Sequence, residues 1–317
     1  VIVFDGAFGT FVQDLDLGPD DFGGASLEGC NEYLCITRPD VIRQMHSAFL
    51  DVGVDVLETA SFGSFSTVLS EYNISDKAYE LNVEAARLAR ETANDYESSG
   101  KARYVAGSIG PGTKLPSLGH IRFTELRDAY VEQARGLIVG GADLFLIETC
   151  MDLLQIKAAM IACRRAMVAE GREIPIQVQV TMETTGRMLV GSEVGAALTA
   201  ISAMKPDVFG INCATGPAEM QEHLRYLSQN ASMPISVLPN AGLPSIVDGR
   251  THYDLTPAEL AKFHHHHVHD LGIGIVGGCC GTTPKHIKAI ADSVHAIIPR
   301  QIQRFLRSLN AHTLLCR

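Results

Sequence analysis

"ADLFLIETC", residues 142–150, puts apolar side chains on both faces of an extended chain, Leu144 and Leu146 on one side and Phe145 and Ile147 on the other. A strand buried on both faces belongs in a parallel sheet covered by helices. Seven comparable runs flank it: "VIVFDG" (1–6), "VDVLETASF" (54–62), "ARYVAGSIG" (102–110), "IQVQVTM" (176–182), "DVFGINC" (207–213), "ISVLPNAG" (235–242) and "IGIVGGCC" (273–280). Segments of helical period connect them, as in "DKAYELNVEAARLARETAND" (76–95), where Leu81, Ala85, Leu88 and Ala89 share a face. Helix starts are marked by Thr37 to Pro39, by Thr256 with Pro257 and by Thr283 with Pro284. Eight strand–helix units in 317 residues predict one α/β domain, the closed (β/α)8 TIM barrel. An open doubly wound sheet would carry a glycine phosphate fingerprint after its first strand, and "DGAFGT" (5–10) is too short and irregular to be one.

No composition break divides the chain, so residues 1–298 are read as the barrel and the more basic 299–317 as a tail or the start of a linker. The chain opens without Met, which leads us to expect that native residues precede Val1. A net charge of -10 argues against a nucleic-acid partner. No apolar run is long enough to span a bilayer and no secretory leader opens the chain, so a cytoplasmic protein without a membrane partner is expected. Eight cysteines in this length are too sparse for a disulfide scaffold, and reduced thiols are expected. "HHHH" (264–267) points in several directions on a helix, so at most two of its rings could share an ion; it is read as a solvated helix face.

Active sites of this fold gather at the C-terminal ends of the strands. Those ends carry Asp5, Glu58 to Ser61, Ser108, Glu148, Glu183, Asn212, Cys213, Asn240, Cys279 and Cys280. Three thiolates from two strands supply three legs of a tetrahedral zinc site and leave one position open for chemistry. The glycines in "VGGCCGTTP" (276–284) let the backbone bend until both sulfurs of Cys279 and Cys280 face one ion. A vicinal disulfide and a pair of inert buried thiols remain the competing readings of that motif. Three thiolates weaken zinc as a Lewis acid for water yet keep a bound substrate thiolate electron-rich, which favours sulfur alkylation over hydrolysis.

These residues resemble the homocysteine-binding domain of the homocysteine S-methyltransferase family, most of all its cobalamin-dependent methionine synthase branch. The resemblance runs from about residue 1 to 298 and rests on "DGAFGT" (5–10), "GCNEYLCITRPDVI" (29–42), "GSIGPGTKLPSLGH" (107–120), "ETCMDLLQIKAA" (148–159), "GINCATGP" (210–217), "LPNAGLP" (238–244), "YDLTPAELA" (253–261) and "GGCCGTTP" (277–284). It implies that Cys213, Cys279 and Cys280 bind zinc and that homocysteine supplies the fourth ligand through its sulfur. It also implies that Asp5 and Glu148 hold the substrate ammonium, and that the main chain around Gly6 and Ala7 and around Thr59 and Ser61 holds its carboxylate. Glu58 and Glu183 are assigned structural or solvated roles.

The implied reaction is methyl transfer to homocysteine thiolate, giving methionine, with methylcobalamin on another domain or subunit as donor and a methyltetrahydrofolate-binding domain to recharge it. The chain has no "DxHxxG" motif and no second barrel, so a fragment or a separate subunit is expected. A stand-alone enzyme using betaine or a sulfonium donor, a zinc hydrolase and a non-catalytic zinc-binding module are the alternatives. Two departures from the branch are "ETASF" (58–62) in place of the common "ETNTF", and Cys35 where Asn is frequent.

Overall fold

The computed structural model describes residues 1–97, 101–247 and 250–297; the tail assigned to 299–317 lies outside them. In chain order the strands are β1 (Ile2–Val3), β2 (Val56–Glu58), β3 (Tyr104–Ile109), β4 (Leu144–Cys150), β5 (Ile176–Val180), β6 (Val208–Asn212), β7 (Ile235–Leu238), β8 (Pro244–Val247), β9 (Arg250–Tyr253) and β10 (Ile275–Val276). Eight of them form one parallel sheet in the order β1-β10-β7-β6-β5-β4-β3-β2, while β8 and β9 pair as a separate antiparallel hairpin. A bridge between Phe4 and Val56 joins the two ends of the sheet. It is supported by the Asp5 N–H on Val56 O (3.2 Å) and the Asp55 N–H on Val3 O (2.8 Å). The fold is a (β/α)8 barrel, with every apolar run contributing one barrel strand.

The double-faced burial that predicts the barrel is resolved strand by strand. Leu146 and, partly buried, Leu144 join Phe4, Val56, Ala106, Leu238 and Ile275 inside the barrel. Phe145 and Ile147 instead join the larger core beneath the surrounding helices. Each fully buried side chain of this size stabilises the fold by about 1.5–3 kcal/mol relative to exposure. The helix Ala78–Asp95 buries Leu81, Ala85, Leu88 and Ala89, the face its period predicts.

Two of the three expected helix starts are capping boxes, Thr256 with Glu259 and Thr283 with His286. The third differs. Arg38 precedes Pro39 as the cap residue without a side-chain bond, because the Thr37 hydroxyl turns back to the Tyr33 carbonyl (3.3 Å). β1 and β10 are two residues each, shorter than their apolar runs, since the residues that follow leave the ladder to build the barrel mouth. The β8–β9 hairpin was not foreseen, because "PNAGLPS" (239–245) reads as a loop.

The solvated reading of residues 264–267 needs correction. His264 and His267 are fully buried, while His265 is exposed and His266 half-buried. Spacing of three on the helix Pro257–His269 turns the first and last of the run to the same inner face. Their rings meet edge to face with centroids 5.4 Å apart. Burial pushes His264 down to about 3 and lowers His267 well below the usual histidine range, so both are neutral.

Candidate active site

The cysteines of β6 and of the β10 loop meet at the C-terminal mouth of the barrel. Cys213 directly follows β6 in the left-handed region (φ 60°), and so does Ala214 (φ 59°). The Cys213 N–H donates to Leu238 O (3.2 Å), which ties the turn to β7. The Cys279–Cys280 loop is held from both sides: Gly278 N–H donates to Asp5 O (3.1 Å), Cys279 N–H to Pro239 O (2.8 Å) and Ala241 N–H to Cys280 O (2.9 Å). Glycine is required at 281, where φ is +78° and an added Cβ would lie 2.3 Å from the Tyr253 ring. At 278 an added Cβ would lie 2.4 Å from the Thr282 hydroxyl, which itself donates to Cys279 O (2.6 Å).

The three sulfurs lie within 4.8 Å of one another, and the Cys213 and Cys280 sulfurs are 3.8 Å apart. Tetrahedral Zn–S bonds of about 2.3 Å require sulfurs separated by about 3.8 Å, so this donor set fits zinc. Its electrostatics fit as well. Hydrogen bonds from Cys213 and then Cys279 push Cys280 down to about 3, and hydrogen bonds to Cys213 and Cys280, then burial, push Cys279 well up. Three thiols this close cannot all ionise unless a cation stands among them. The seven described cysteines are all unpaired, which removes the vicinal disulfide as a reading of "GGCCG".

Facing the sulfurs is a group of carboxylates. Glu148 lies in β4, two residues before its end, and is 5% exposed; it accepts from Ser108 Oγ (2.5 Å) and Asn212 Nδ2 (3.2 Å). Burial is the main cause that pushes it up to about 7. Asp5 accepts from the Glu58 N–H at 3.1 Å through both oxygens. Burial raises it too, with the Glu148 charge as a smaller cause. Glu58 is raised by burial, then by Glu148 and Asp5, and its enclosed Oε1 has no partner. Three acids that suppress one another's ionisation form a place for a cation.

A cavity of about 220 Å³ connects the two groups, lined by Ala7, Glu58, Thr59, Glu148, Thr149, Cys213, Cys279 and Cys280 together with Phe8, Asn31, Glu32 and Phe62. Of the residues singled out in the sequence, Ala7, Thr59, Glu148 and the three cysteines therefore face one space, whereas Asp5, Gly6 and Ser61 stand behind it. The main-chain N–H groups of Thr59 and Ser61 are already engaged, with Ala106 O (2.9 Å) and Thr59 O (2.8 Å). Their hydroxyls bond to each other at 2.6 Å. Those two N–H groups are not available to a carboxylate; among the described residues the Gly6 and Ala7 N–H groups donate to no protein atom. Glu183 lies in a turn, its N–H on Arg187 O (2.9 Å), outside the cavity.

Sequence reasoning assigned Glu58 a structural or solvated role, and the structure places it among the residues that line the cavity. It gave no role to Thr149 or Asn212, and Tyr253 escaped it because β9 was unforeseen; burial, and then the charge of the nearby Cys280, raise the tyrosine.

The closed barrel sets a cysteine trio opposite buried carboxylates at its mouth, and the chain belongs to the homocysteine S-methyltransferase family, whose model matches residues 2–294. Methionine synthase of Mycobacterium tuberculosis is 51% identical to it over 294 residues, and that of Mycobacterium leprae equally so. Each alignment covers 93% of this chain and 24% of the relative, so the chain spans about a quarter of the length of these curated relatives. Among solved structures, the homocysteine methyltransferase MmuM from Escherichia coli in its metallated form has a TM-score of 0.73 at 20% identity, over 92% of this chain and 96% of that one. Its apo form gives 0.68 at 19%. At such identity the likeness is one of fold.

Proposed function

We propose that this barrel binds homocysteine in the mouth cavity and presents its sulfur for methylation, yielding methionine. The substrate ammonium lies toward Glu148 and Glu58, with Asp5 behind them, and the N–H of Ala7 in the cavity wall, next to the equally unengaged N–H of Gly6 behind it, receives the carboxylate. The sulfur lies toward Cys213, Cys279 and Cys280. Those cysteines would hold zinc, which when bound supplies a Lewis-acidic position where a thiol ionises near neutral pH. The protein's remaining work is placement: the carboxylates fix one end of the substrate so that its other end meets the sulfurs, and no general base is needed. The new S–C bond forms as the donor's bond to the methyl carbon breaks on the opposite side.

The carrying observation is the single cavity that joins the trio to Glu148 and Glu58. The donor we assign is methylcobalamin on another domain or subunit, recharged from a methyltetrahydrofolate-binding one. Resemblance to methionine synthases, with only 24% of their length covered, supports this over a stand-alone betaine or sulfonium enzyme. A reducing compartment, the cytoplasm, suits seven unpaired cysteines; no described helix is long and apolar enough to cross a membrane. Zinc K-edge absorption tests the reading. Homocysteine should add one sulfur neighbour to three; a shell that does not change on saturation would overturn it.

A further inference from the structure

The bond network around Asn212 has no part in the function above, and it reaches both ends of the cavity. Asn212 is 1% exposed at the end of β6, directly before Cys213. Its Oδ1 accepts the Thr149 N–H (2.7 Å) and its Nδ2 donates to Thr149 Oγ1 (2.8 Å), so one amide grips one residue twice. The same Nδ2 lies 3.2 Å from Glu148 Oε2 and 4.0 Å from Cys279 Sγ. Thr149 needs such a grip, because its φ is 55°. A β-branched residue in the left-handed region is strained and persists only where its surroundings over-determine it. At this point the β4–β5 register slips between Ile147 and Cys150. Glu148 keeps the inward face that Leu144 and Leu146 share, and the slip is what lets the next residue, Thr149, border the cavity as well.

We infer that Asn212 is a positioning residue: it bonds Glu148 Oε2 directly and clamps the following residue, Thr149, and so holds the Glu148 carboxylate toward the substrate ammonium from the residue adjacent to Cys213. The inference rests on the homocysteine reading. Loss of the amide removes one of the two side-chain bonds that fix the Glu148 carboxylate and lets Thr149 relax, so the carboxylate loses its fixed place. The cysteine trio keeps its own backbone anchors, at Leu238, Pro239 and Asp5.

The test compares homocysteine with 4-mercaptobutyrate, which lacks the amino group, by calorimetry on the zinc-loaded chain. The wild type should prefer homocysteine, and Asn212→Ala should reduce that preference about tenfold, the loss expected of one charge-assisted hydrogen bond. Zinc content and 4-mercaptobutyrate affinity should stay within about twofold of wild type. Glu148→Gln should show the same loss, and the double variant no more than either single one, because both act through one contact. Equal weakening of both ligands, or additive losses in the double variant, would overturn the inference and leave the function intact. Failure of the wild type to bind homocysteine at all would instead remove the functional reading itself, and this inference with it.

Discussion

Replacing Glu148 with Gln should make the ligand-free protein more stable while weakening recognition of the ammonium of the proposed substrate. Glu148 is 5% exposed, and burial raises it from 4.5 to about 7. Each unit corresponds to about 1.36 kcal/mol, so a fully ionised Glu148 opposes folding by roughly 3 kcal/mol. The sign follows from proton counts. Between its unfolded and folded values the native state binds the extra proton, so stability falls as pH rises from about 4.5 through 7. Glutamine cannot ionise and loses that slope. It also presents an N–H to the Asn212 amide, which costs about 1 kcal/mol at every pH. The variant-minus-wild-type difference should therefore be near zero at about pH 5 and rise by about 2.5 kcal/mol by about pH 8.5. Asp5 and Glu58, both raised in part by the Glu148 charge, relax in the same direction. Urea unfolding of the reduced, zinc-free proteins at several pH values measures this difference, to which Cys280 also contributes because its charge helps to raise Glu148. A difference that stays flat with pH would refute the assignment of Glu148 as a carboxyl held uncharged by burial.

Gly281→Ala should lower stability and weaken zinc together, since φ +78° and a Tyr253 ring 2.3 Å from the new Cβ leave the loop no room; zinc titration with thermal melting checks both. Asp152→Ala should cost about 2 kcal/mol in chemical unfolding, because that carboxylate caps the helix Leu153–Glu170 at Leu154 N–H (2.8 Å) and also holds Ser117 by N–H (2.8 Å) and hydroxyl (2.6 Å). His265 and His269, one turn apart on the exposed face with rings stacked at 5.6 Å, should retain the chain on immobilised nickel. His265→Ala with His269→Ala should release it, whereas retention by the double variant would mean other side chains bind the metal.

Periodicity carried the barrel because a strand covered on both faces must be apolar at every position, and Phe145 and Leu146 do face opposite cores. The cysteine trio was legible for a related reason: parallel strands deliver their C-terminal ends to one rim whatever their separation in sequence. Side-chain direction at that rim was not legible. Glu58 and Thr59 are neighbours, and only the closing of β1 on β2 decides that the Glu58 carboxylate enters the cavity while its N–H turns to Asp5. The twist at Thr149 leaves no mark in "LIETC" (146–150), because a left-handed threonine is held there by a partner 63 residues away. The buried pair within "HHHH" (264–267) was hidden by composition, four polar residues masking the one face that helical spacing turns inward.

The two ends of the cavity pose one electrostatic problem twice, and this fixes how protons must move when substrate arrives. At one end three acids repel and one of them, Glu148, sits near 7; at the other, three thiols repel and the charge settles on Cys280. Zinc with three thiolates has the same net charge, minus one, as a single thiolate among two thiols, so metal loading leaves the field at Glu148 largely unchanged. In the proposed complex homocysteine would bring an ammonium, which needs Glu148 ionised, and a thiol, which must ionise on the sulfur end. Above about pH 8 binding should release one proton, from the substrate thiol; below about pH 6 it should release two, the second from Glu148. Affinity should then steepen toward a hundredfold per unit on the acid side, and Glu148→Gln should remove the second proton but not the first. Calorimetry of the zinc-loaded chain in buffers of different ionisation enthalpy counts these protons directly. A count that stays at one across the range would show that the ammonium never engages a protonated carboxyl, and so that substrate lies in the cavity with its amino end away from Glu148.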